Sequence, residues 1–333
     1  VMYMSRWKEN SSFLEMLSET EGVLDYFYMV DSFGGILPTD IEEIINIVKS
    51  ETDIPIGFHG HDNLQMGLIN TITALDNGCE IVDSTITGMG RGAGNLKTEL
   101  LLTFLDSQKK LNVDFKILSE VVSSFEKLRK DYEWGTSLPY MFSGAYSLPQ
   151  KQVMEWVGLN RYSISSILNA LDNRKNIIKD NVRFPLLNKN EKYRSVIILG
   201  GGESANIHKE AIKKLLNNND ICLIHAGVKN IKYYLDANTK QYYALLGVEE
   251  EHVLEQIITK NKESGINTCV FPPYPRKMGV SIPDKLMHIS EELKEISFTS
   301  FTSDSPLAIA IQCALDLNIK NIYLAGFDGY DVS

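Results

Sequence analysis

Short apolar runs alternate with amphipathic helical patterns over residues 1–108, and this alternation constrains the fold more than any other feature. It is typical of βα units built on a parallel sheet. The runs predict four strands, at residues 1–5, 24–30, 54–58 and 80–86. The patterns between and after them predict four helices, at residues 11–18, 39–49, 64–77 and 95–109. A Thr-Asp-Ile-Glu sequence at 39–42 resembles a capping box for the second helix.

Glycine and polar clusters follow these predicted strands. They are Arg6, DSFGG at 31–35, HGHDN at 59–63 and GMGRGAGN at 88–95. The carboxyl ends of the strands in a (β/α)₈ barrel form the edge on which active sites are built. The clusters are therefore the candidate active site.

The pair His59 and His61 is the strongest single signal. Residues two apart point to the same side of a strand, so both imidazoles can bind one divalent ion. A hydrogen-bonded histidine pair without metal fits the spacing equally well. In the following cluster, Gly88, Gly90, Gly92 and Gly94 allow a close backbone approach to a ligand, or form a flexible turn. Asn95 is then a metal or substrate contact, or an ordinary helix N-cap.

The rest of the chain falls into three further segments. Residues 111–172 read as a helical, aromatic-rich extension, which either caps the barrel mouth or packs between domains. Residues 173–194 are polar and predict a linker. Residues 195–333 form a second α/β pattern, with strands predicted at 196–199, 221–225, 242–246, 268–271 and 322–324 and helices at 207–216 and 305–317. Its GGGES loop at 200–204 is suited to a phosphate.

Composition limits the classes of function. The chain has 333 residues, 44% hydrophobic and 23% charged, which suits about two domains. Its net charge of −10 argues against nucleic acid or anionic membranes as partners. The four scattered cysteines form no C-x-x-C pair, so buried reduced thiols are expected. With no apparent membrane span or signal peptide, we expect a cytoplasmic protein with small-molecule partners.

The three clusters at 31–35, 59–63 and 88–95, in this order, resemble the metal-dependent aldolase and acyltransferase superfamily, in particular its 4-hydroxy-2-oxovalerate aldolase and hydroxymethylglutaryl-CoA lyase branches. The resemblance covers about residues 1–150. It implies a (β/α)₈ barrel in which His59 and His61 bind Mn²⁺ or Mg²⁺ and Ser32 lies near the substrate carboxylate. It also implies that Asn95 contacts the metal and that Tyr146 is the tyrosine supplied after the barrel.

The superfamily's Arg-Asp motif, which completes the metal site, has no counterpart in this sequence. Val1 aligns near the fifth barrel strand, so residues 1–110 are expected to be the second half of the barrel. The chain opens on an apolar run and stops after an acidic loop signal, as a fragment would. Such a fragment alone is expected to be inactive.

The second half resembles Rossmann-like proteins that include motility accessory factors and bacterial sialyltransferases. This resemblance implies a nucleotide or nucleotide-sugar site at Gly200, Gly202, Ser204, Ser303 and Asp328. Glycine is usual in that family where this chain has Asp304. A degenerate domain that only assists packing is the alternative.

The leading hypothesis is a carbon–carbon lyase that cleaves a 2-oxo acid through a pyruvate enolate stabilised by a divalent metal. Alternatives are an acyl-CoA condensing synthase of the same superfamily, a nucleotide-sugar glycosyltransferase with a vestigial barrel, and a non-catalytic scaffold. The fusion suggests, by analogy, a role in polysaccharide biosynthesis. Related barrels form dimers, so a homo-oligomer is expected.

Overall fold

The computed structural model describes residues 3–7, 14–159, 162–177, 182–190, 193–218, 220–249, 251–264, 267–276, 278–299 and 305–329. The chain divides into two compact units, Val1–Ile164 and Ser165–Ser333. Each unit has its own sheet, and every strand pair in both sheets is parallel. The expected α/β class is therefore confirmed.

The sheet of the first unit has three strands, ordered β1 (Phe27–Asp31), β2 (Ile56–Gly60) and β3 (Ile81–Val82). Its helices are α1 (Pro38–Glu51), α2 (Gly67–Asp76), α3 (Thr98–Ser107), α4 (Phe115–Tyr132), α5 (Leu138–Ala145) and α6 (Gln150–Gly158). Helices α1, α2 and α3 each follow one strand, as the βα pattern predicts.

Helix α1 shows why this sheet forms. Its buried residues Ile41, Ile44, Ile45 and Val48 repeat with helical spacing and share one core with apolar residues of β1 and β2. The predicted capping box at Thr39 is wrong, because the helix already begins at Pro38. The carboxylate of Asp40 instead accepts the Leu37 backbone N–H at 3.3 Å.

The first predicted strand is also wrong over its described part. Met4–Arg6 is a 3₁₀ turn, and Met4 and Trp7 are buried in the core beneath α1. A separation of three residues brings both side chains to one side of a helical turn, whereas in a strand they would point to opposite faces. The predicted helix at 11–18 is replaced, where described, by 3₁₀ turns at Leu14–Met16 and Ser18–Thr20, while residues 8–13 lie outside the described residues.

The strand predicted at 80–86 shortens to two residues. Beyond β3, Thr85 forms an isolated bridge with Lys97, and Ile86–Gly88 turns into a 3₁₀ helix with Thr87 at a φ of 55°. Helix α3 accordingly begins at Thr98, so Asn95 is not its N-cap.

The second unit has a six-stranded sheet in the order β8–β7–β6–β5–β4–β9. The strands are β4 (Ser195–Leu199), β5 (Ile221–His225), β6 (Gln241–Ala244), β7 (Asn267–Phe271), β8 (Ser290–Glu292) and β9 (Asn321–Ala325). The helices are α7 (Ile164–Lys175), α8 (Ser204–Ile207), α9 (Lys209–Leu216), α10 (Glu251–Ser264) and α11 (Pro306–Asp316). The sequence predicts five of these strands and misses β8.

The strand order places a topological switch point between β4 and β9. Strands β4 to β8 extend the sheet in one direction, and β9 then pairs with the other edge of β4. Every residue of β4, β5, β6 and β7 is buried, as in parallel sheets covered on both faces. In β9, by contrast, Tyr323 and Leu324 are exposed.

The polar stretch predicted as a linker is packed where it is described. Phe184 is buried and stacks on Phe271 with ring centroids 4.8 Å apart. The Leu187 N–H donates to the carbonyl of Glu292 at 3.0 Å, and Leu187 is also buried. Two apolar side chains thus anchor this stretch to the sheet of the second unit despite its polar composition. Helix α7 occupies the start of the same predicted linker.

All four cysteines are buried and free, as expected. Among the described residues, no helix combines the length and the apolar character that a membrane span requires.

Candidate active site

The two histidines lie together at the carboxyl end of β2. His59 is a residue of that strand and His61 follows it. Their rings are 4.8 Å apart between centroids and meet edge to face, at an interplanar angle of 84°. The i, i+2 spacing therefore brings the two imidazoles to one side of the strand.

Hydrogen bonds fix the tautomer of both rings. Nδ1 of His61 lies 2.8 Å from the carbonyl oxygen of Asp31, which only accepts, so Nδ1 carries the proton. Nδ1 of His59 lies 2.5 Å from Oδ1 of Asp83 and donates to that carboxylate. No described residue forms a hydrogen bond with Nε2 of either ring, so both Nε2 lone pairs remain available. Metal-binding histidines are typically held in this way.

Asp83 and Tyr28 support His59 and escape the sequence analysis. Burial, and then the negative charge and hydrogen bond of Asp83, raise the pKa of Tyr28 to about 12. Tyr28 pairs in register with Gly57, where a Cβ atom would lie 2.3 Å from the tyrosine ring. Only the position of Asp83 in the sheet could have identified it, because Asp83 directly follows β3 and β3 is the neighbour of β2.

His61 is kept neutral by its surroundings. Burial lowers its pKa, and the nearby His59 lowers it further, while the hydrogen bond to Asp31 acts in the opposite direction. A neutral imidazole is the form that binds metal.

Asp31 is the last residue of β1, and Ser32 begins the loop that follows it. The buried carboxylate of Asp31 accepts the N–H groups of Gly34 and Ile36 at 2.9 and 3.3 Å. Burial raises the pKa of Asp31, and these backbone bonds oppose the shift. The Ser32 hydroxyl accepts the Tyr3 N–H at 2.8 Å. Ser32 thus lies one residue from the carbonyl that orients His61.

The glycine loop pairs with the histidine segment through Asn95. Asn95 and His61 form an isolated antiparallel bridge. The Asn95 amide nitrogen donates to the Met89 carbonyl at 3.1 Å, and this leaves its oxygen as the free acceptor. A Cβ atom at Gly90 would lie 2.9 Å from the Asn95 amide, so a larger residue there would displace that side chain. Backbone hydrogen bonds from Asn95 to Gly88 and from Gly94 to Arg91, both of 3.1 Å, close this loop into a compact turn.

A strap formed by residues 134–136 joins the two loops, and the sequence analysis missed it. The Trp134 indole N–H donates to the Thr87 carbonyl at 3.1 Å, and the Gly135 N–H donates to the Gly92 carbonyl at 3.0 Å. The Thr136 hydroxyl donates to the Asn63 carbonyl at 2.7 Å. A cleft of about 350 Å³ lies beside the strap.

Tyr146 follows α5 and is half-exposed. Its ring packs on Phe142 with the centroids 4.7 Å apart. Its assignment as the tyrosine supplied to the active site stays a prediction.

The donor set fits a divalent metal in part. Two neutral imidazoles with free Nε2 atoms are suitable ligands for Mn²⁺ or Mg²⁺ only alongside oxygen donors. The described residues contain no group of three or more histidine, cysteine, aspartate or glutamate residues able to hold an ion. His59 and His61 can therefore supply two positions of a metal site and leave the others open.

The second predicted site lies where β4 and β9 end. The Ser204 N–H donates to Oδ2 of Asp328 at 2.8 Å, and the Ser204 hydroxyl donates to Oδ1. A Cβ atom at Gly202 would lie 2.4 Å from the same carboxylate, and one at Gly200 would lie 2.4 Å from the Gly326 carbonyl. Four of the predicted residues are thus brought together. Ser303 lies outside the described residues.

Asp328 accepts the Ser204 N–H, a donor that the glycine loop was expected to offer to a phosphate. The bonds from Ser204 lower the pKa of Asp328, so the group is a carboxylate at neutral pH. A negative charge beside the glycine loop repels a phosphate and accepts hydroxyl groups instead.

Residues 13–125 match the HMGL-like family model. A 4-hydroxy-2-oxovalerate aldolase from Bacillus thuringiensis (strain Al Hakam) is 34% identical over 148 residues, 41% of this chain and 43% of that protein. One from Bacillus cereus (strain 03BB102) is 38% identical over 125 residues, 36% of each chain. A crystal structure of the N-terminal domain of a candidate aldolase from Bacteroides vulgatus is 54% identical, with a TM-score of 0.47, and covers 50% of this chain and 55% of that one.

The chain spans less than half the length of these curated relatives. The family match lies within the first unit. It supports the resemblance of this part of the chain to the aldolase superfamily.

Proposed function

We propose that the first unit carries part of the active site of an aldolase that cleaves a 4-hydroxy-2-oxo acid into pyruvate and an aldehyde. The observation that carries this proposal is the geometry of the histidine pair. The two Nδ1–H groups donate to Asp83 and to the Asp31 carbonyl, and both Nε2 atoms remain available to a ligand. The similarity of residues 13–125 to the HMGL-like family supports the same reaction class.

In this reaction a base removes the proton of the substrate's 4-hydroxyl group, and the C3–C4 bond breaks. Its electron pair goes to the enolate of pyruvate, which is then protonated. A divalent ion, when bound, withdraws charge from the 2-oxo acid and lowers the energy of that enolate. His59 and His61 would hold the ion, Asp83 and the Asp31 carbonyl would orient them, and the Asn95 amide oxygen would face the ligand.

The test is pyruvate release from 4-hydroxy-2-oxovalerate by the intact gene product with Mn²⁺. We expect release to fall at least 100-fold in the His59→Ala, His61→Ala double variant. The exposed residue His288 supplies the control, because His288→Ala should release pyruvate at the rate of the unaltered protein. Bound Mn²⁺ without release would contradict the aldolase proposal, and acyl-CoA condensation would then be assayed with the same variants.

For the second unit we propose that the edge where β4 and β9 end binds a nucleotide or nucleotide-sugar through hydroxyl groups. Ligands of open α/β sheets bind at such switch points, and the Asp328 carboxylate suits a ribose diol. Uridine should therefore bind at least as tightly as uridine 5′-monophosphate in saturation-transfer NMR, and Asp328→Asn should weaken uridine binding. Tighter binding of the monophosphate to the unaltered protein would contradict this proposal.

A further inference from the structure

A second cleft lies in the second unit, away from the glycine loop. It has a volume of about 380 Å³. Its polar lining residues are Asn169, Asp172, Asn173, Glu249 and Ser281. The volume falls in the range of small-molecule sites, about 300–1,000 Å³. Glu249 belongs to the loop that follows β6, so the cleft opens near the carboxyl end of that strand.

Helix α7 presents a polar face to this cleft. Asn169, Asp172 and Asn173 are separated by three and four residues, so they lie on one side of the helix. The Asn169 amide nitrogen donates to the Val248 carbonyl at 2.9 Å, which fixes the side chain and leaves its oxygen free to accept. Asp172 is half-exposed, with Lys175 Nζ 3.6 Å from one of its oxygens.

Asn173 differs from the other residues of this face because its buried amide nitrogen lacks a hydrogen-bond partner among the described residues. Asn173 is 4% exposed. A buried donor without a partner destabilises the folded protein, and such groups are uncommon in native structures. An acceptor offered by a ligand would complete the hydrogen bonds of this amide.

The opposite wall holds acceptors. The Glu249 carboxylate accepts the N–H groups of Leu246 and Gly247 at 2.5 and 2.8 Å, and this fixes its position. Ser281 adds a hydroxyl group. The described lining contains two carboxylates and no cationic residue, although Lys175 pairs with Asp172 from outside the lining. Acceptors and negative charge therefore predominate, which favours a ligand that offers several donors and carries no negative charge.

We propose that this cleft binds a small polyhydroxylated molecule, either uncharged or bearing an amine, such as a monosaccharide or an amino sugar. Hydroxyl groups donate to Asp172, Glu249 and the Asn169 oxygen, and they accept from the Asn173 amide. An amine gains further from the two carboxylates, and an acidic sugar is repelled by them.

The test compares glucosamine, glucose and glucuronate with the intact chain by saturation-transfer NMR and calorimetry. We expect glucosamine to bind most tightly, glucose more weakly, and glucuronate at least tenfold more weakly than glucosamine. Absence of binding by both glucosamine and glucose would overturn the proposal. Binding of glucuronate as tight as that of glucosamine would overturn it as well.

Two variants separate binding from folding. Asn173→Leu removes the unpartnered donor, so it should weaken glucose binding at least fivefold while the melting temperature is unchanged or higher. Asp172→Asn, at a half-exposed position, should reduce the preference for glucosamine over glucose at least threefold. The exposed Asn217→Asp is the control and should bind both sugars as the unaltered chain does. Glucose binding that is unchanged in Asn173→Leu, or a glucosamine preference that is unchanged in Asp172→Asn, would overturn the proposal.

Discussion

At the scale of single residues, the orientation of His59 depends on one carboxylate. Asp83 lies 2.5 Å from Nδ1 and so keeps Nε2 unprotonated. Partners of this kind contribute about 10–100-fold to metal affinity. We therefore expect Asp83→Asn to lower Mn²⁺ affinity of the intact gene product by about that factor, measured by calorimetry. Asp25→Asn, at an exposed position before β1, is the matched control. Equal affinities in the two variants would show that Asp83 does not orient His59.

Gly57 is required by the ring that packs on it. A Cβ atom there would lie 2.3 Å from Tyr28, so Gly57→Ala must displace the tyrosine that contacts Asp83. Overpacking of this kind costs about 1–3 kcal/mol. Urea unfolding should show this loss, whereas Gly158→Ala, with no atom within 4 Å of the new methyl group, should be neutral or slightly stabilising. A neutral Gly57→Ala would mean that the Tyr28 ring moves freely.

His225 links the stability of the second unit to pH. It is 1% exposed, and burial lowers its pKa to about 4. The unfolded chain therefore binds the proton more readily, and stability falls as pH drops from about 6.5 towards 4, by on the order of 3 kcal/mol in total.

This pH dependence is measurable as the difference in urea midpoints between pH 7.5 and pH 5. We expect it to shrink in His225→Gln and to persist in the exposed His288→Gln. An unchanged pH dependence in His225→Gln would assign it to other groups.

At the scale of elements, the strap of residues 134–136 should restrain both loops of the candidate site. Thr136→Val removes the hydroxyl that donates to Asn63 and keeps the shape of the side chain. We expect faster amide hydrogen exchange at residues 61–65 and an unchanged rate in β1. Thr103→Val, at an exposed position of α3, is the control, because the Thr103 hydroxyl donates to the Glu99 carbonyl within the same helix. Equal exchange at 61–65 in the two variants would show that the strap does not hold this loop.

The sequence predicts well those helices and strands in which apolar residues follow a clear periodic or continuous pattern. The strand predicted at 221–225 matches β5, and the helix predicted at 39–49 lies within α1. The strand predicted at 1–5 is wrong over the described residues 3–5, because an apolar run of that length fits a turn as well as a strand. β8 is missed because its sequence is Ser-Glu-Glu, and its position depends on pairing with β7 rather than on its own side chains.

The sequence predicts the histidine pair and its neighbours in the chain, and misses residues that only tertiary structure brings close. His61 and Asn95 form a bridge although they lie 34 positions apart in the chain. Their motifs predict that both residues belong to one candidate site, but not this pairing. Asp83 and Thr136 belong to no motif. Their function depends on which strand ends and loops become neighbours, and spacing along the chain does not encode this.

At the scale of the whole molecule, each unit has a separate sheet and core. We expect residues 162–333, which retain α7, to unfold cooperatively on their own, because their strands pair only with one another. Thermal unfolding followed by circular dichroism tests this, with the intact chain measured alongside. A gradual loss of signal without a transition would show that this unit needs the first one.

The bond between Ser204 and Asp328 gives the second unit an internal competitor. A ligand that needs the Ser204 N–H must first displace the Asp328 carboxylate. Because that carboxylate belongs to the same chain, its effective concentration at Ser204 does not depend on the protein concentration. The observed affinity of such a ligand is reduced by the fraction of molecules in which the bond is open. A ligand that accepts the carboxylate as a partner avoids this penalty. At the proposed site, this bond would therefore select against phosphate groups before a ligand makes its first contact.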